Sequence, residues 1–237
     1  MKYFTYFPKI DYDLDDNKQT KSIVDVFRFA KIINNQTLDD ISLYAFYDVN
    51  DGERPDHVSR RIYGSADYYW TFFLVNEEMK NLFTDWPMSY SQMEDHVNLN
   101  YSGTALTVTT SDFYDKLTIG ETVTGILSGA TGKVVAKDSN YGWIKINSKT
   151  GIFQAETIQG QTSNDIVVIT GETAFKNATH HYTHSTEGIV PRGTAGAVAV
   201  TNEQYEIDEN DKRRRIKVLK PERVQEVVQQ FREAING

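Results

Sequence analysis

The sequence predicts an α+β protein: a small helical module, an inserted all-β domain (a small barrel or sandwich) and a C-terminal strand-helix. Three observations predict it. Residues 52 to 77, "GERPDHVSRRIYGSADYYWTFFLVNE", hold two short helical patterns around Gly64. Residues 104–171 turn to short alternating runs rich in Thr, Gly, Val and Ile, the composition of strands and turns. Residues 213–235, "RRRIKVLKPERVQEVVQQFREAI", read as a strand and then a helix with one apolar stripe.

In order along the chain, residues 1–20 are expected to be an extended arm. Its aromatic start, Tyr3 to Phe7, precedes an acidic stretch from Asp11 to Asp16, and no period is sustained. Such an arm cannot bury itself alone; it packs back on its own domain or on a neighbour. Residues 21–103 form an α/β region, with a helix expected over 21–36 from the spacing of Ile23, Val24, Phe27, Ala30 and Ile33. "ISLYAFYDV" (41–49) reads as a strand and Asn50-Asp51-Gly52 as a turn. Pro55 suits a first helical turn, Val58 and Ile62 share a face, and Gly64 suits a left-handed stop. Ser65 can cap a second helix on which Tyr69 and Phe73, and Trp70 and Leu74, pair at i, i+4. Ser89 and Gln92 have capping-box spacing for a third short helix.

The β-rich 104–171 carries an internal repeat. "IGETVTG" aligns with "QAETIQG" at an offset of 35 residues, which places Glu121 against Glu156. A two-fold β unit follows if each copy is a strand-turn-strand piece, with both glutamates solvated beside their turns. Residues 172–237 are read as loop, strand and helix packing back on the first region. Within them "HHYTH" (180–184) is strand-like and "GIVPRGTAGAVAV" (188–200) loop-like. Val224, Val227, Val228, Phe231 and Ile235 form the stripe of the last helix.

Composition narrows the chemistry. The chain has 237 residues, a net charge of −8 and no cysteine. An acidic surface argues against bulk nucleic acid or anionic membrane as partner. The missing cysteines exclude disulfides and thiolate metal sites and fit a reducing cytosol. No apolar run reaches the ~18 residues of a membrane span, and the N-terminus lacks the apolar core of a secretory signal. His180, His181 and His184 lack an acidic companion, and alternation would put His180 and His184 on one strand face with Tyr182, so no metal is expected. Neighbours such as Glu94, Asp95 and His96 point apart on a helix. No nucleophile elbow, phosphate loop or zinc signature is present; no catalytic residue and no cofactor are expected. Lys212 to Lys220 holds six basic residues in nine. Its preceding acids Asp208, Glu209 and Asp211 offset half of that charge, which suits the solvated face of an edge strand or an acidic protein partner.

The segment "DGERPDHVSRRIYGSADYYWTFFLVNE" followed by "DWPMS" resembles the LysM-like region (about 43–97 here) of the baseplate wedge subunits of T4-like contractile-tailed phages. "ATHHYTH" and "NEQYEIDENDKRRRIKVLKPERVQEVVQQFREAI" resemble later parts of that family, so the similarity spans about 20–103 and 174–236. The motif in "GETVTGILSGATG" is similar to β modules inserted in phage structural proteins, and 104–171 departs from the family as an insertion. The resemblance implies a virion structural subunit, assembled in the host cytoplasm, that joins wedge proteins around a central hub in several copies of a six-fold assembly. The same resemblance implies hub or sheath-initiator proteins as further expected partners, with no catalysis, nucleic acid or membrane expected. Contact residues expected on this reading are Arg54, Tyr63, Tyr68, Tyr69, Trp70, Trp86, Arg213, Arg214 and Arg215. The alternative is a peptidoglycan-binding LysM protein of a tail-associated cell-wall hydrolase. Its sugar-reading loop would be "VNDGERPD", whose charge gives a glycan no positive support.

Overall fold

Two units make up the chain: Met1–Tyr90 with Asn210–Gly237, and Ser91–Glu209. The computed structural model describes residues 3–13, 20–24, 42–81, 84–110 and 112–236. Helices and strands are both abundant, and the β-rich insertion closes into a barrel, so the fold is α+β with an inserted β domain.

The first unit begins with a 3-10 turn at Tyr3–Tyr6 and an antiparallel pair, β1 (Lys9–Asp13) with β2 (Thr20–Val24). This corrects two expectations. The arm is not simply extended, and residues 21–24 of the expected helix are strand; the rest of that helix lies outside the described residues. β3 (Tyr44–Asp48) leads through the Gly52 turn into α1 (Pro55–Tyr63). Pro55 occupies the first turn of α1, and Gly64 ends it in the left-handed region at φ 71°. Ser65 then accepts from the Asp67 N–H at 3.2 Å to start a 3-10 turn, Ala66–Tyr68, which runs into the six-residue α2 (Trp70–Val75).

α3 (Tyr90–Asn100) follows, its first N–H held by the Asp51 carboxylate at 2.8 Å. The second unit then lays down β4 (Thr104–Val108), β5 (Thr122–Gly125), β6 (Thr131–Asp138), β7 (Trp143–Thr150), β8 (Glu156–Gly160) and β9 (Ile166–Ala174). They close in the order β4-β7-β6-β5-β8-β9. Closure removes both sheet edges. Leu106, Val123, Val134, Ile144, Ile146, Ile158 and Ile169 fill the interior from alternating positions. Beyond the barrel, β10 (Thr179–His184) pairs with β11 (Gly188–Val190) and β12 (Val198–Thr201). Two strands therefore lie where the sequence reads as loop. α4 (Asn202–Arg214) comes next, with the Gln204 N–H bonded to the Thr201 hydroxyl at 3.1 Å. β13 (Arg215–Leu219) and α5 (Val224–Asn236) complete the chain. Lys212 to Arg214 thus form the last turn of α4 and not an edge strand; cations there complement the helix dipole.

Glu121 and Glu156 are the largest departure inside the barrel. Both are buried, each about 6% exposed, where the sequence suggests solvated side chains. β5 and β8 pair antiparallel, Val123 against Gly160 and Gly125 against Ile158, so a local two-fold relates the two repeats. Each glutamate reaches across that axis to the turn that follows the other strand. Glu156 accepts from the N–H groups of Leu127 (2.8 Å) and Ser128 (2.9 Å), the Ser128 hydroxyl (2.6 Å) and the Gln154 N–H (3.0 Å). Glu121 accepts from the N–H groups of Thr162 and Ser163, the Ser163 hydroxyl and the Thr118 N–H. Burial raises the Glu156 pKa, but these donors outweigh it and hold the carboxyl at about 2. Glycine is required at the crossing: a Cβ at Gly125 would lie 2.7 Å from both Glu156 oxygens.

Candidate interaction site

The site is built on β3, α1, α2 and β13 of the first unit. β3 and β13 pair antiparallel, with Phe46 opposite Lys217 and Asp48 opposite Arg215. β13 is the second strand that the helical module lacks in its own stretch of sequence; it arrives only after the second unit has been traversed. One face of this sheet is apolar. Ile216 and Val218 pack there with Val58, Phe72, Met79 and Trp86. The arm closes a second cluster: Phe7 packs on Phe231 of α5 at 5.9 Å, beside Trp70, Val75 and Leu219. Arg232 of α5 donates to the Tyr6 hydroxyl at 3.1 Å and lies over its ring.

Loop 50–54 is closed by its own side chains. Glu53 is buried and accepts from the Tyr47 hydroxyl (2.9 Å), the Asn50 N–H (3.2 Å) and the Asn50 side-chain amide (3.1 Å). Arg61 makes an ion pair with it at 3.0 Å. Burial works against the charge, yet the Tyr47 and Asn50 bonds and the Arg61 cation keep the Glu53 carboxyl below its ordinary value. Burial also raises the Tyr47 phenol, helped by the Glu53 charge. The Glu53 carbonyl accepts from the Trp86 indole N–H at 2.7 Å.

The expected contact residues fall into two groups. Trp70 and Trp86 are buried at 7% and 9% exposure, inside the two cores. Tyr63, half-buried, donates to the Leu219 carbonyl at 3.0 Å, and burial lifts its hydroxyl to about 12. Tyr68 meets Tyr63 edge-on and accepts from Gln225 of α5, while Tyr69 packs against both cores. The cations lie nearer the surface. Arg54 is exposed and bonds Asp56 at 3.1 Å. Arg213 donates to the Thr84 carbonyl at 3.2 Å. Arg214 pairs with Asp211 (2.9 Å) and Asp51 (3.7 Å) and lies over the Tyr90 ring. Arg215 is exposed, its guanidinium 4.9 Å from the centre of the Phe46 ring.

Sequence reasoning missed Phe46 and Lys217. Phe46 is 53% exposed on the outer face of β3, and Lys217 sits 5.1 Å from the centre of the Tyr44 ring. Alternation marks both as outward, but only the β3–β13 register puts a cation beside each ring. Asn76 was missed as well. Its buried side-chain amide donates to the Lys217 carbonyl and accepts from the Lys217 N–H, both at 2.8 Å. Asn210 likewise donates to the Met88 carbonyl (3.0 Å) and accepts from the Met88 N–H (2.7 Å).

In the second unit, the β10 residues depart from simple alternation. A register shift between Thr179 and His181 marks a bulge, which brings two successive side chains to one side. The His180 and His181 Nδ1 atoms lie 2.8 Å apart, and His180 stacks on Tyr205 of α4 at 3.8 Å. Burial and the neighbouring His181 hold His180 below the ordinary imidazole value. His184 instead bonds the Thr186 hydroxyl at 3.0 Å. Among the described residues, no group of three or more His, Asp or Glu is arranged to hold a metal ion, and no helix is long and apolar enough to cross a membrane.

A family model described as base plate wedge protein 53 matches residues 2–118, just under half of the chain. The match supports a structural role as a phage baseplate wedge subunit, with other baseplate proteins as partners and the virion tail as location. No curated protein matches the chain.

Proposed function

We propose that the chain is a structural subunit of a contractile-tail baseplate wedge that joins wedge proteins around the central hub by protein–protein contacts and without catalysis. The observation that carries this reading is the family match over residues 2–118. The geometry of the first unit agrees with it. β3, α1, α2 and β13 compose a β-α-α-β arrangement, which we take as the LysM-like module. The loop that would read a sugar keeps its polar groups for Glu53, Asn50, Tyr47 and Trp86. Tyr63, Tyr69 and Trp70 of the tandem helices, with Trp86, complete the cores, which leaves contact to the exposed Arg54 and Arg215, the half-buried Tyr68 and the outer face of the sheet. Several copies in a six-fold tail, built in the host cytoplasm, follow from the same reading.

The test is genetic and structural. Phage lacking the gene are expected to yield particles without complete baseplates, and mass spectrometry of purified virions is expected to find the chain. Infectious particles assembled without it refute the proposal. Incubating the purified chain with sacculi separates the peptidoglycan alternative, since retention with release of muropeptides belongs to that reading alone.

A further inference from the structure

The two edges of the β3–β13 sheet are treated differently. The bonds from Val49 N to Arg214 O and from Lys220 N to Leu43 O bracket the ladder. By antiparallel alternation Ala45 and Tyr47 face β13, while Tyr44, Phe46 and Asp48 turn their N–H and C=O groups the other way. On β13 three of the outward groups are held by side chains: Asn76 holds both those of Lys217, and Tyr63 bonds the Leu219 carbonyl. On β3 the outward groups of Tyr44, Phe46 and Asp48 have no hydrogen-bond partner among the described residues. Among the described residues, no proline, bulge or covering side chain protects that edge, the usual means by which an exposed strand avoids pairing. Ala45, Phe46 and Asp48 are exposed along it.

The charge beside this edge is also specific. Arg215 and Lys217 belong to β13, yet their cations lie over the Phe46 and Tyr44 rings of β3. Their positive charge is thereby moved across the sheet to within about one strand spacing of the open edge.

We infer that the outer edge of β3 is a docking site for an extended segment of another wedge protein, which adds to the sheet as a third strand and places acidic side chains at alternate positions beside Phe46, Arg215 and Lys217. Main-chain bonds supply affinity in this mode, and alternate side chains supply specificity. The inference rests on the wedge reading above and names the surface and chemistry through which it operates.

Phe46→Pro is the direct test. It removes an outward N–H without removing a β3–β13 bond, and proline is tolerated on such an edge. Each purified wedge protein of the same phage is titrated against the full-length chain. Phe46→Pro is expected to weaken one of these interactions about tenfold, and Phe46→Ala, which keeps the N–H, less. The double variant Arg215→Glu/Lys217→Glu, which leaves the backbone edge intact, is expected to weaken the same interaction at least as much and to lower its salt dependence. Thermal unfolding followed by circular dichroism confirms that each variant folds. If the wild type binds a wedge protein and both Phe46→Pro and the double variant bind it equally well, the edge inference falls and the wedge reading stands. If the wild type binds no wedge protein, both fall. Sedimentation that shows self-association lost only in Phe46→Pro assigns the edge to a second copy and overturns the proposed occupant.

Discussion

Replacing Glu156 with glutamine tests whether the barrel depends on its crossed carboxylates. The native side chain is about 6% exposed and accepts four hydrogen bonds, three of them from backbone N–H groups. Each native oxygen takes two of the four bonds, so glutamine, which keeps one acceptor oxygen and puts an NH2 group in place of the other, removes the acceptor of two bonds in either orientation. At about 1.5 kcal/mol per bond to a charged group, the loss is about 3 kcal/mol. Proton linkage expresses the same bonds as a second figure. A carboxyl lowered from 4.5 to about 2 corresponds to about 3 kcal/mol at most, and to about 2 after screening by solvent at the turn. Because the folded value is depressed, this stability is fully present above about pH 4.5 and is lost as pH falls toward 2. The two figures agree, and their common origin gives a sharper expectation. Protonated Glu156 resembles glutamine, so the wild type and Glu156→Gln should converge in acid. Hydrogen exchange of peptides covering residues 122–170, read by mass spectrometry across this pH range in urea, follows the barrel separately from the first unit. A gap that stays the same at neutral pH and near pH 3, or a variant within about 0.5 kcal/mol of the wild type at neutral pH, refutes the reasoning.

Other substitutions probe the remaining joints. Gly125→Ala forces a Cβ to within 2.7 Å of the Glu156 carboxylate and should destabilise the barrel by about 1–3 kcal/mol, measured by the same exchange experiment. Asn76→Ala leaves the Lys217 N–H and carbonyl without their side-chain partner and should lower the stability of the first unit by about 2–3 kcal/mol in urea titrations. Phe7→Ala empties a site packed on Phe231; a loss of about 3 kcal/mol is expected, whereas an arm that docks only on a neighbour predicts almost none.

Much of this was readable in the residues because it is local. Pro55, Gly64 and Ser65 set where α1 starts, where it stops and how the next turn begins, through preferences that act within a few positions. The stripe of Val224, Val227, Val228, Phe231 and Ile235 is likewise a local pattern, and all five are buried. The alternating runs and turns of the β insertion announced strands, but barrel closure depends on pairings such as β4 with β9, far apart in sequence. The same limit hid the pairing of β3 with β13. Glu121 and Glu156 defeated a composition argument, since a carboxylate beside a turn is usually wet and only the two-fold crossing brings donors around it. Thr201 and Gln204 do carry a helix-start signal, which the basic run that follows obscured. At the interaction site, the tryptophans stood out by residue type and proved to be core, while Phe46 and Lys217 gained meaning only from register.

The Asn210 amide grips both main-chain groups of Met88, at the point where the chain departs from the first unit and comes back to it. A clasp of this kind makes the host module indifferent to its cargo. Whatever is threaded between the two clasped positions acts on the host as a loop, and the entropy of closing a loop grows only as the logarithm of its length. Swapping the barrel for a short flexible connector, or for a foreign domain with adjacent termini, should therefore leave the helical module folded. A lineage carrying such a clasp can exchange what the module displays without redesigning the part that holds it in place.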